Sequence, residues 1–141
     1  MSATRIQNNQ PGRYRVDLRW GDMDALGHVN QAVYHELLEE ARTALLRTLP
    51  SPDKGAFVLA RVELNYRREV PLSHRFVDVT LHVEAIGRAS VTVSQQIIRS
   101  DGELAADGQS VLVAWDAQRR GSRPLSDQEL AVLKQLQSAG R

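Results

Sequence analysis

Residues 20–30 concentrate side chains that could carry out a reaction. The segment reads WGDMDALGHVN and holds two carboxylates, an imidazole and an amide, namely Asp22, Asp24, His28 and Asn30. It directly precedes a predicted helix, whose first N–H groups have no intrahelical partners and lie at the positive end of the helix dipole. Such a helix start can stabilise an oxyanion. A carboxylate beside an oxyanion hole is typical of acyl transfer, in which the carboxylate attacks the carbonyl or activates a water.

Three other interpretations of this segment compete with acyl transfer. A calcium loop that starts at Asp22 needs an oxygen ligand at its fifth position and a glutamate at its twelfth, where Leu26 and Val33 stand, so it is excluded. A metal site built from Asp22, Asp24 and His28 is chemically possible, but no further His/Asp pair has ligand spacing, and we expect no metal. In the plainest alternative the aspartates cap turns and the histidine packs against the helix.

The elements that must position this segment follow from hydrophobic periodicity. Apolar residues alternate with polar ones over residues 13–20, up to and including Trp20, which predicts a strand with one packed face. Steps of three and four over residues 31–49 predict a long helix, with Asn30 as its N-cap and Pro50 ending it. Its polar face is predicted to carry Glu36, Glu39, Glu40, Arg42 and Arg47.

The rest of the chain reads mainly as strands. Four strands are predicted between residues 58 and 115, with Asp101-Gly102 as a hairpin turn, and a short helix with a capping box begins at Ser126 and Glu129. Consecutive strands without intervening helices are antiparallel, and the long helix must cover one face of their sheet. The predicted fold class is therefore α+β with two layers.

Composition narrows the function classes. The chain has 141 residues, no cysteine and a formal net charge of +1, which excludes a disulfide scaffold and a thiol nucleophile and argues against nucleic acid as a partner. Residues 1–12 are polar and are expected to form a flexible segment, with one domain over residues 13–141. Neither a signal peptide nor a membrane span is recognisable, so we expect a cytoplasmic protein.

The run RWGDMDALGHVN, followed by Tyr34 and by the EEAR run that ends at Arg42, closely resembles the hot-dog fold thioesterases. The likeness is to the branch that contains 4-hydroxybenzoyl-CoA thioesterase, and it covers nearly the whole chain. Residues 86–90 (IGRAS) and 99–102 (RSDG) resemble two turns of the family more weakly. The resemblance implies an antiparallel five-stranded sheet wrapped around one long helix, with a short C-terminal helix.

The resemblance also implies roles for individual residues. Asp24 matches the family's catalytic carboxylate, and Asp22 becomes a structural turn residue. Backbone N–H groups of residues 30–34 would hold the thioester oxygen, with His28 and Asn30 as supporting residues. In the plant acyl-carrier branch an asparagine joins the catalytic set, and Leu26 occupies that position here. The second asparagine of the family's pair is replaced by Gln31, which is expected to contact substrate.

The resemblance gives less detail about the residues that bind the substrate. Coenzyme A carries phosphates for which guanidinium groups are natural partners. Arg88 and Ser90 are the expected nucleotide contacts, with further candidates at Arg67, Arg68, Arg119, Arg120 and Arg123. Tyr34 is either a wall of the acyl pocket or a core aromatic. Trp20 and Trp115 are expected in the core or in an interface. The resemblance implies no cofactor and a homodimer or homotetramer.

Alternatives to this interpretation stay open. A second clade of hot-dog thioesterases carries its carboxylate on the long helix, for which Glu36, Glu39 and Glu40 are candidates. Enoyl-thioester hydratases share the fold, but they have four residues between aspartate and histidine, whereas Asp24 and His28 have three. A non-catalytic acyl-thioester-binding protein is the third possibility. The leading expectation is an acyl-CoA thioesterase that releases a free acid and coenzyme A.

Overall fold

The computed structural model describes residues 6–10, 12–52 and 55–139. Within them lie seven strands and two α-helices in the following order: β1 (Ile6–Gln10), β2 (Arg13–Asp17), α1 (Val33–Leu46), β3 (Gly55–Tyr66), β4 (Phe76–Ile86), β5 (Ser90–Arg99), β6 (Leu104–Asp116), β7 (Gly121–Ser122) and α2 (Asp127–Ala139). Short 3-10 helices at Trp20–Asp22 and Leu72–His74 precede α1 and β4. Neither helix of this described part of the chain is long and apolar enough to cross a membrane.

The strands form one antiparallel sheet in the order β1-β2-β4-β5-β6-β3, with β7 paired to the end of β6. The last residue of β2, Asp17, pairs with Phe76 at the start of β4. The loop after β2 and the segment before β4 therefore share one end of the sheet. The β4–β5 turn lies at the other end, about 33 Å away along β4.

The five predicted strands and the long helix are present as β2–β6 and α1, which confirms the fold class. β2 ends three residues early because the chain turns into a 3-10 helix, so Trp20 is 83% exposed instead of packed. Asn30 is not the N-cap of α1, because Ala32 holds that place. Strand β1 lies within the segment expected to be flexible, and residues 1–5 and 11 of that segment lie outside the described residues.

Helix α1 packs one face against the sheet and forms the centre of the core. Tyr34, Leu37, Leu38, Ala41 and Leu45 from this face are all buried. They meet the inward-facing residues of β2, β4 and β5, and Leu125 and Leu133 extend the same core toward α2. Burial of this continuous apolar surface is the main stabilising contribution to a fold of this kind.

Arg42 lies on the buried face of α1, so its predicted place on the polar face is wrong. Its Nη1 donates to Oε1 of Gln95 at 3.1 Å and to Oγ of Ser110 at 3.2 Å. Burial lowers the pKa of the Arg42 guanidinium. The helical spacing of apolar residues did not reveal this position, because a charged residue is ordinarily assigned to the polar face. Arg42 can be buried because polar side chains from the sheet accept its hydrogen bonds.

The edge strand β3 changes phase in its middle. Leu59 pairs with Leu112 and Arg61 pairs with Val111, so Ala60 is an extra residue that forms a β-bulge. Beyond the bulge, β3 runs against Gly108 of β6, where a Cβ would lie 1.8 Å from the carbonyl oxygen of Glu63. Only glycine permits this approach, which brings the end of β3 close to β6.

Helix α2 is held to the domain by a buried ion pair. The predicted capping box is confirmed, since the Glu129 N–H donates to Oγ of Ser126 and the Ser126 N–H donates to Oε1 of Glu129. Glu129 is fully buried and also accepts from both Nη atoms of Arg123, at 2.7 and 3.0 Å, and from Oγ of Ser51. Burial alone would raise the pKa of Glu129, but these hydrogen bonds outweigh it and lower the pKa from 4.5 to about 2.

Candidate active site

The loop between β2 and α1 is folded around Asp22. This side chain is buried, and its Oδ2 accepts from the Arg19 N–H at 2.8 Å while its carbonyl accepts from the Asn30 N–H at 2.9 Å. Asp22 therefore joins the two ends of the loop. Its position agrees with the structural role expected for the first aspartate of the pair.

Asp24 begins a tight hairpin inside this loop. Its N–H donates to the carbonyl of His28 at 3.0 Å, and its own carbonyl accepts from Gly27, whose φ of +83° suits the absence of a side chain. The side chain closes the turn, since Oδ1 accepts from the Leu26 N–H at 2.9 Å. In the described part of the chain, Oδ2 of Asp24 accepts no hydrogen bond. One carboxylate oxygen is thus fixed and the other is available.

The imidazole of His28 lies between two carboxylates. Its Nε2 is 3.7 Å from Oδ1 of Asp24, and its Nδ1 is 3.9 Å from Oε2 of Glu69. A β-bridge between His28 and Pro71 and the bond from the Val29 N–H to the carbonyl of Val70 hold the ring beside this second segment. Glu69 was not among the sequence-predicted residues.

The turn before α1 uses most of its N–H groups internally. The Asn30 N–H donates to the carbonyl of Asp22, as described above. The Ala32 N–H donates to Oδ1 of Asn30 at 2.9 Å, and the Val33 N–H donates to the carbonyl of Asn30 at the same distance. These three groups are therefore occupied before any ligand binds.

Two N–H groups of the predicted oxyanion segment stay available. Among the hydrogen bonds of the described residues, none is donated by the backbone N–H of Gln31 or of Tyr34. Gln31 is exposed, whereas Tyr34 is buried in the core beneath the turn. The candidate oxyanion donor that a substrate can reach is therefore the N–H of Gln31, at the start of the helix.

Two tyrosines surround this turn. The hydroxyl of Tyr66, at the end of β3, donates to the carbonyl of Gln31 at 2.8 Å. Its ring meets that of Tyr34 edge to face, with centroids 4.9 Å apart, and the Tyr34 hydroxyl donates to the carbonyl of Arg68. Burial raises the pKa of both phenols above the ordinary value of 10.0, so both remain protonated donors at neutral pH. Tyr34 is buried, as a core aromatic is, and Tyr66 is 47% exposed.

A cleft of about 350 Å³ opens beside Asp24. Its lining consists of Trp20, Gly21, Met23, Asp24, Gly27 and Leu72. Trp20 is not a core residue, because its ring is exposed at the rim of this cleft. The cleft therefore combines an apolar wall with one carboxylate.

The structure does not bring all of the predicted residues together within one chain. Asp24, His28, Asn30, Gln31 and Tyr34 share the end of the sheet at which β2 stops. Arg88 lies in the β4–β5 turn and Ser90 is the first residue of β5, both at the opposite end, where the carbonyl of Arg88 accepts from the Leu125 N–H. Arg88 is exposed, and its role and that of Ser90 stay predictions.

Four of the five other arginine candidates pair with carboxylates. Arg67 pairs with Asp107 at 3.1 Å, Arg68 with Glu103 at 3.6 Å, and Arg119 with Asp116 at 3.8 Å, all at the surface. Arg123 is bound to the buried Glu129 and supports the fold instead of facing solvent. Among the residues that the structure describes, no group of three or more His, Asp or Glu side chains could hold a metal ion.

Comparisons with known proteins identify the family of the chain. The family model of the thioesterase-like superfamily matches residues 18–136. The long-chain acyl-CoA thioesterase FadM of Escherichia coli (strain K12) is 29% identical over 128 residues, which cover 86% of this chain and 96% of FadM.

Solved structures of other proteins are similar to this chain in fold. A thioesterase from Thermus thermophilus, solved in complex with coenzyme A and Zn, is 34% identical and covers 96% of this chain and 98% of its own, with a TM-score of 0.78. A structure from Bacillus stearothermophilus, at 23% identity, covers 89% of this chain and 95% of its own with a TM-score of 0.81, and supports the fold alone.

Proposed function

The chain belongs to the thioesterase-like superfamily and is a thioester hydrolase, and on this premise we propose that it cleaves acyl-coenzyme A with Asp24 as its catalytic carboxylate. The observation that carries the proposal is that one loop contains both a carboxylate oxygen of Asp24 and a backbone N–H of Gln31 that are available. Both belong to one loop, whose ends are tied by the bond between Asn30 and Asp22.

The way in which the Asp24 carboxylate is held supports a role in thioester hydrolysis. Because Leu26 holds Oδ1 of Asp24, the orientation of the group is fixed before substrate binds, and Oδ2 is left to attack the thioester carbonyl or to take a proton from water. Direct attack by Oδ2 forms a tetrahedral intermediate that expels the coenzyme A thiolate and leaves a mixed anhydride on Asp24, which water then hydrolyses to the free acid. Attack by an activated water forms a tetrahedral intermediate that gives the free acid and the thiol of coenzyme A directly. His28 flanks the Asp24 carboxylate and limits the directions in which that carboxylate can turn. Glu69 lies beside the other ring nitrogen of His28.

The oxyanion of this intermediate requires a hydrogen-bond donor. The Gln31 N–H is the proposed donor, because it precedes the N-cap of α1 and so lies near the positive end of the helix dipole. Asn30 contributes through its side chain, which holds the neighbouring Ala32 N–H and so leaves the Gln31 N–H as the available group of the turn. The roles of Asn30 and Gln31 are thus the positioning and the supply of this donor.

The names of two relatives support a substrate class. FadM is named a long-chain acyl-CoA thioesterase, and the Thermus thermophilus thioesterase was solved with coenzyme A. We propose acyl-coenzyme A as substrate here, with the acyl group against the apolar wall of the cleft beside Asp24. Arg88 and Ser90 remain the proposed nucleotide contacts, and a cytoplasmic location remains expected.

The proposed activity is tested by thiol release from a panel of short, medium, long and aromatic acyl-coenzyme A thioesters. We expect turnover of at least one class, detected with a thiol reagent. Absence of thiol release with every thioester would contradict the proposal. Hydration of a crotonyl thioester without thiol release would instead favour the hydratase alternative.

We further propose a homodimer that forms through β3. This strand of 12 residues lies at the edge of the sheet and exposes Val58, Leu59 and Tyr66 by 37%, 45% and 47%. A long edge strand with exposed apolar side chains is prone to pair with another strand. Two copies of β3 related by a twofold axis would pair antiparallel and cover these side chains.

The dimer predicts an effect of charge at this edge. Leu59→Lys should give a monomer for two reasons. It removes apolar contact area from the paired edge, and it brings two positive charges together there. Light scattering after size exclusion should report twice the mass of one chain for the wild type and the mass of one chain for the variant. Leu26→Lys is the matched control, since Leu26 is 82% exposed in the loop between β2 and α1 and not on β3. A wild-type protein of single-chain mass would contradict the dimer.

A further inference from the structure

The peptide group between Gln31 and Ala32 is held at both of its polar atoms. Its carbonyl oxygen accepts from the hydroxyl of Tyr66 at 2.8 Å, and its N–H donates to Oδ1 of Asn30 at 2.9 Å. The next peptide toward the N-terminus is held through the carbonyl of Asn30, which accepts from Val33. Its N–H, that of Gln31, is the group left available.

The carbonyl of Gln31 has no helical donor of its own. Helix α1 begins at Val33, and the His35 N–H donates to Ala32 at 3.2 Å instead of to Gln31. A buried backbone carbonyl that no helical N–H reaches needs a hydrogen-bond partner from another part of the chain or from water. Tyr66 supplies that partner from a different element, the end of the edge strand β3.

Tyr66 is itself fixed in place. Its ring packs edge to face on Tyr34, at an interplanar angle of 62°, and Tyr34 is anchored through its hydroxyl to Arg68. In the sheet, Tyr66 pairs with Ala106, just beyond the close approach of β3 to Gly108. The hydroxyl therefore reaches Gln31 from a side chain with little freedom to turn away.

We propose that Tyr66 is a positioning residue for the oxyanion donor of the thioesterase site. The inference rests on the proposed function. With the carbonyl of Gln31 held by Tyr66 and the carbonyl of Asn30 held by Val33, both backbone dihedrals of Gln31 are restricted, and the direction of its N–H is set before substrate arrives. Such preorganisation acts on the transition state more than on the bound substrate.

Tyr66→Phe tests this role, because it removes only the hydroxyl. We expect kcat for acyl-coenzyme A hydrolysis to fall about 3- to 10-fold, the effect of losing one hydrogen bond, with KM changed by less than about twofold. In the folded protein, the carbonyl ¹³C resonance of Gln31 should shift as its hydrogen bond is lost. Tyr14→Phe is the matched control, since Tyr14 is buried in β2, outside the site.

Each result decides the inference. An unshifted carbonyl resonance in Tyr66→Phe would show that the hydroxyl does not hold Gln31. An unchanged kcat despite a shifted resonance would show that this hydrogen bond does not affect catalysis. Either result overturns the role. Light scattering is used to check that both variants keep the wild-type mass under the conditions of the kinetic and resonance measurements. Absence of turnover by the wild type would overturn the proposed function, and the resonance would still decide whether the contact exists.

Discussion

Asp24→Asn is expected to lower kcat for thioester hydrolysis by about 10²- to 10⁴-fold, the usual contribution of a positioned acid or base. An amide can neither attack the carbonyl effectively nor take a proton from water. The hairpin should survive, because the amide oxygen of asparagine can still accept from the Leu26 N–H. The measurement is thiol release under saturating substrate, with the thermal unfolding midpoint recorded to show that the fold is retained.

The helix glutamates provide the contrasting variants. Glu36, Glu39 and Glu40 are candidates if the carboxylate is on α1, and Glu39 is exposed on the face opposite the core. We expect Glu39→Gln and Glu40→Gln to retain activity within a few-fold of the wild type. Activity that survives in Asp24→Asn and disappears in a helix variant would reverse the assignment.

Glu129→Gln is expected to lower the free energy of unfolding by about 3–5 kcal/mol, the range for breaking a buried ion pair from one side. The substitution keeps the shape of the side chain but leaves the Arg123 guanidinium, only 11% exposed, without its anion. For a chain of this size the midpoint of thermal unfolding should fall by roughly 10 °C. Urea unfolding followed by circular dichroism measures the loss.

The same carboxyl predicts how stability depends on pH. The folded-state pKa of Glu129 is about 2 and its ordinary value is 4.5, so its ionised form is favoured in the folded protein. Its contribution is complete above about pH 5 and is lost as the pH falls from 4.5 to 2. The difference in unfolding free energy between wild type and Glu129→Gln should therefore shrink over this interval.

A surface ion pair gives the control for both measurements. Glu103 lies 3.6 Å from Arg68, and both side chains are about half exposed. Glu103→Gln should cost no more than about 1 kcal/mol, because exposed pairs are screened by solvent. Equal losses from Glu103→Gln and Glu129→Gln would mean that burial of the second pair contributes nothing.

Features that depend on neighbouring residues were predictable from the sequence. The turn residue Asp22, the start of α1 within two residues, and the Ser126–Glu129 capping box all follow from local chemistry. Alternation in the strands predicted the sheet, because the period of two persists over most of each strand. Trp20 was misplaced since the alternation continues past the last paired residue, Asp17, into a 3-10 helix.

Contacts between distant segments were not predictable. Tyr66 and Gln31 are 35 residues apart, and nothing in the alternation of β3 distinguishes Tyr66 from an ordinary strand residue. Glu69 reaches His28 only because the chain between β3 and β4 bridges to the loop at Pro71. Arg42 and Arg123 look like surface charges in sequence, and their acceptors come from other elements.

The bulge at Ala60 has a consequence for how strand β3 can vary among homologous chains. Leu59 and Arg61 face consecutive residues of β6, so a chain that lacks the residue between them keeps every other side chain on its present face. A residue lost anywhere else in the strand would turn part of it over, moving apolar side chains to the wrong side. Single-residue gaps in alignments of this strand should therefore collect at Ala60, where a length change carries the smallest structural penalty.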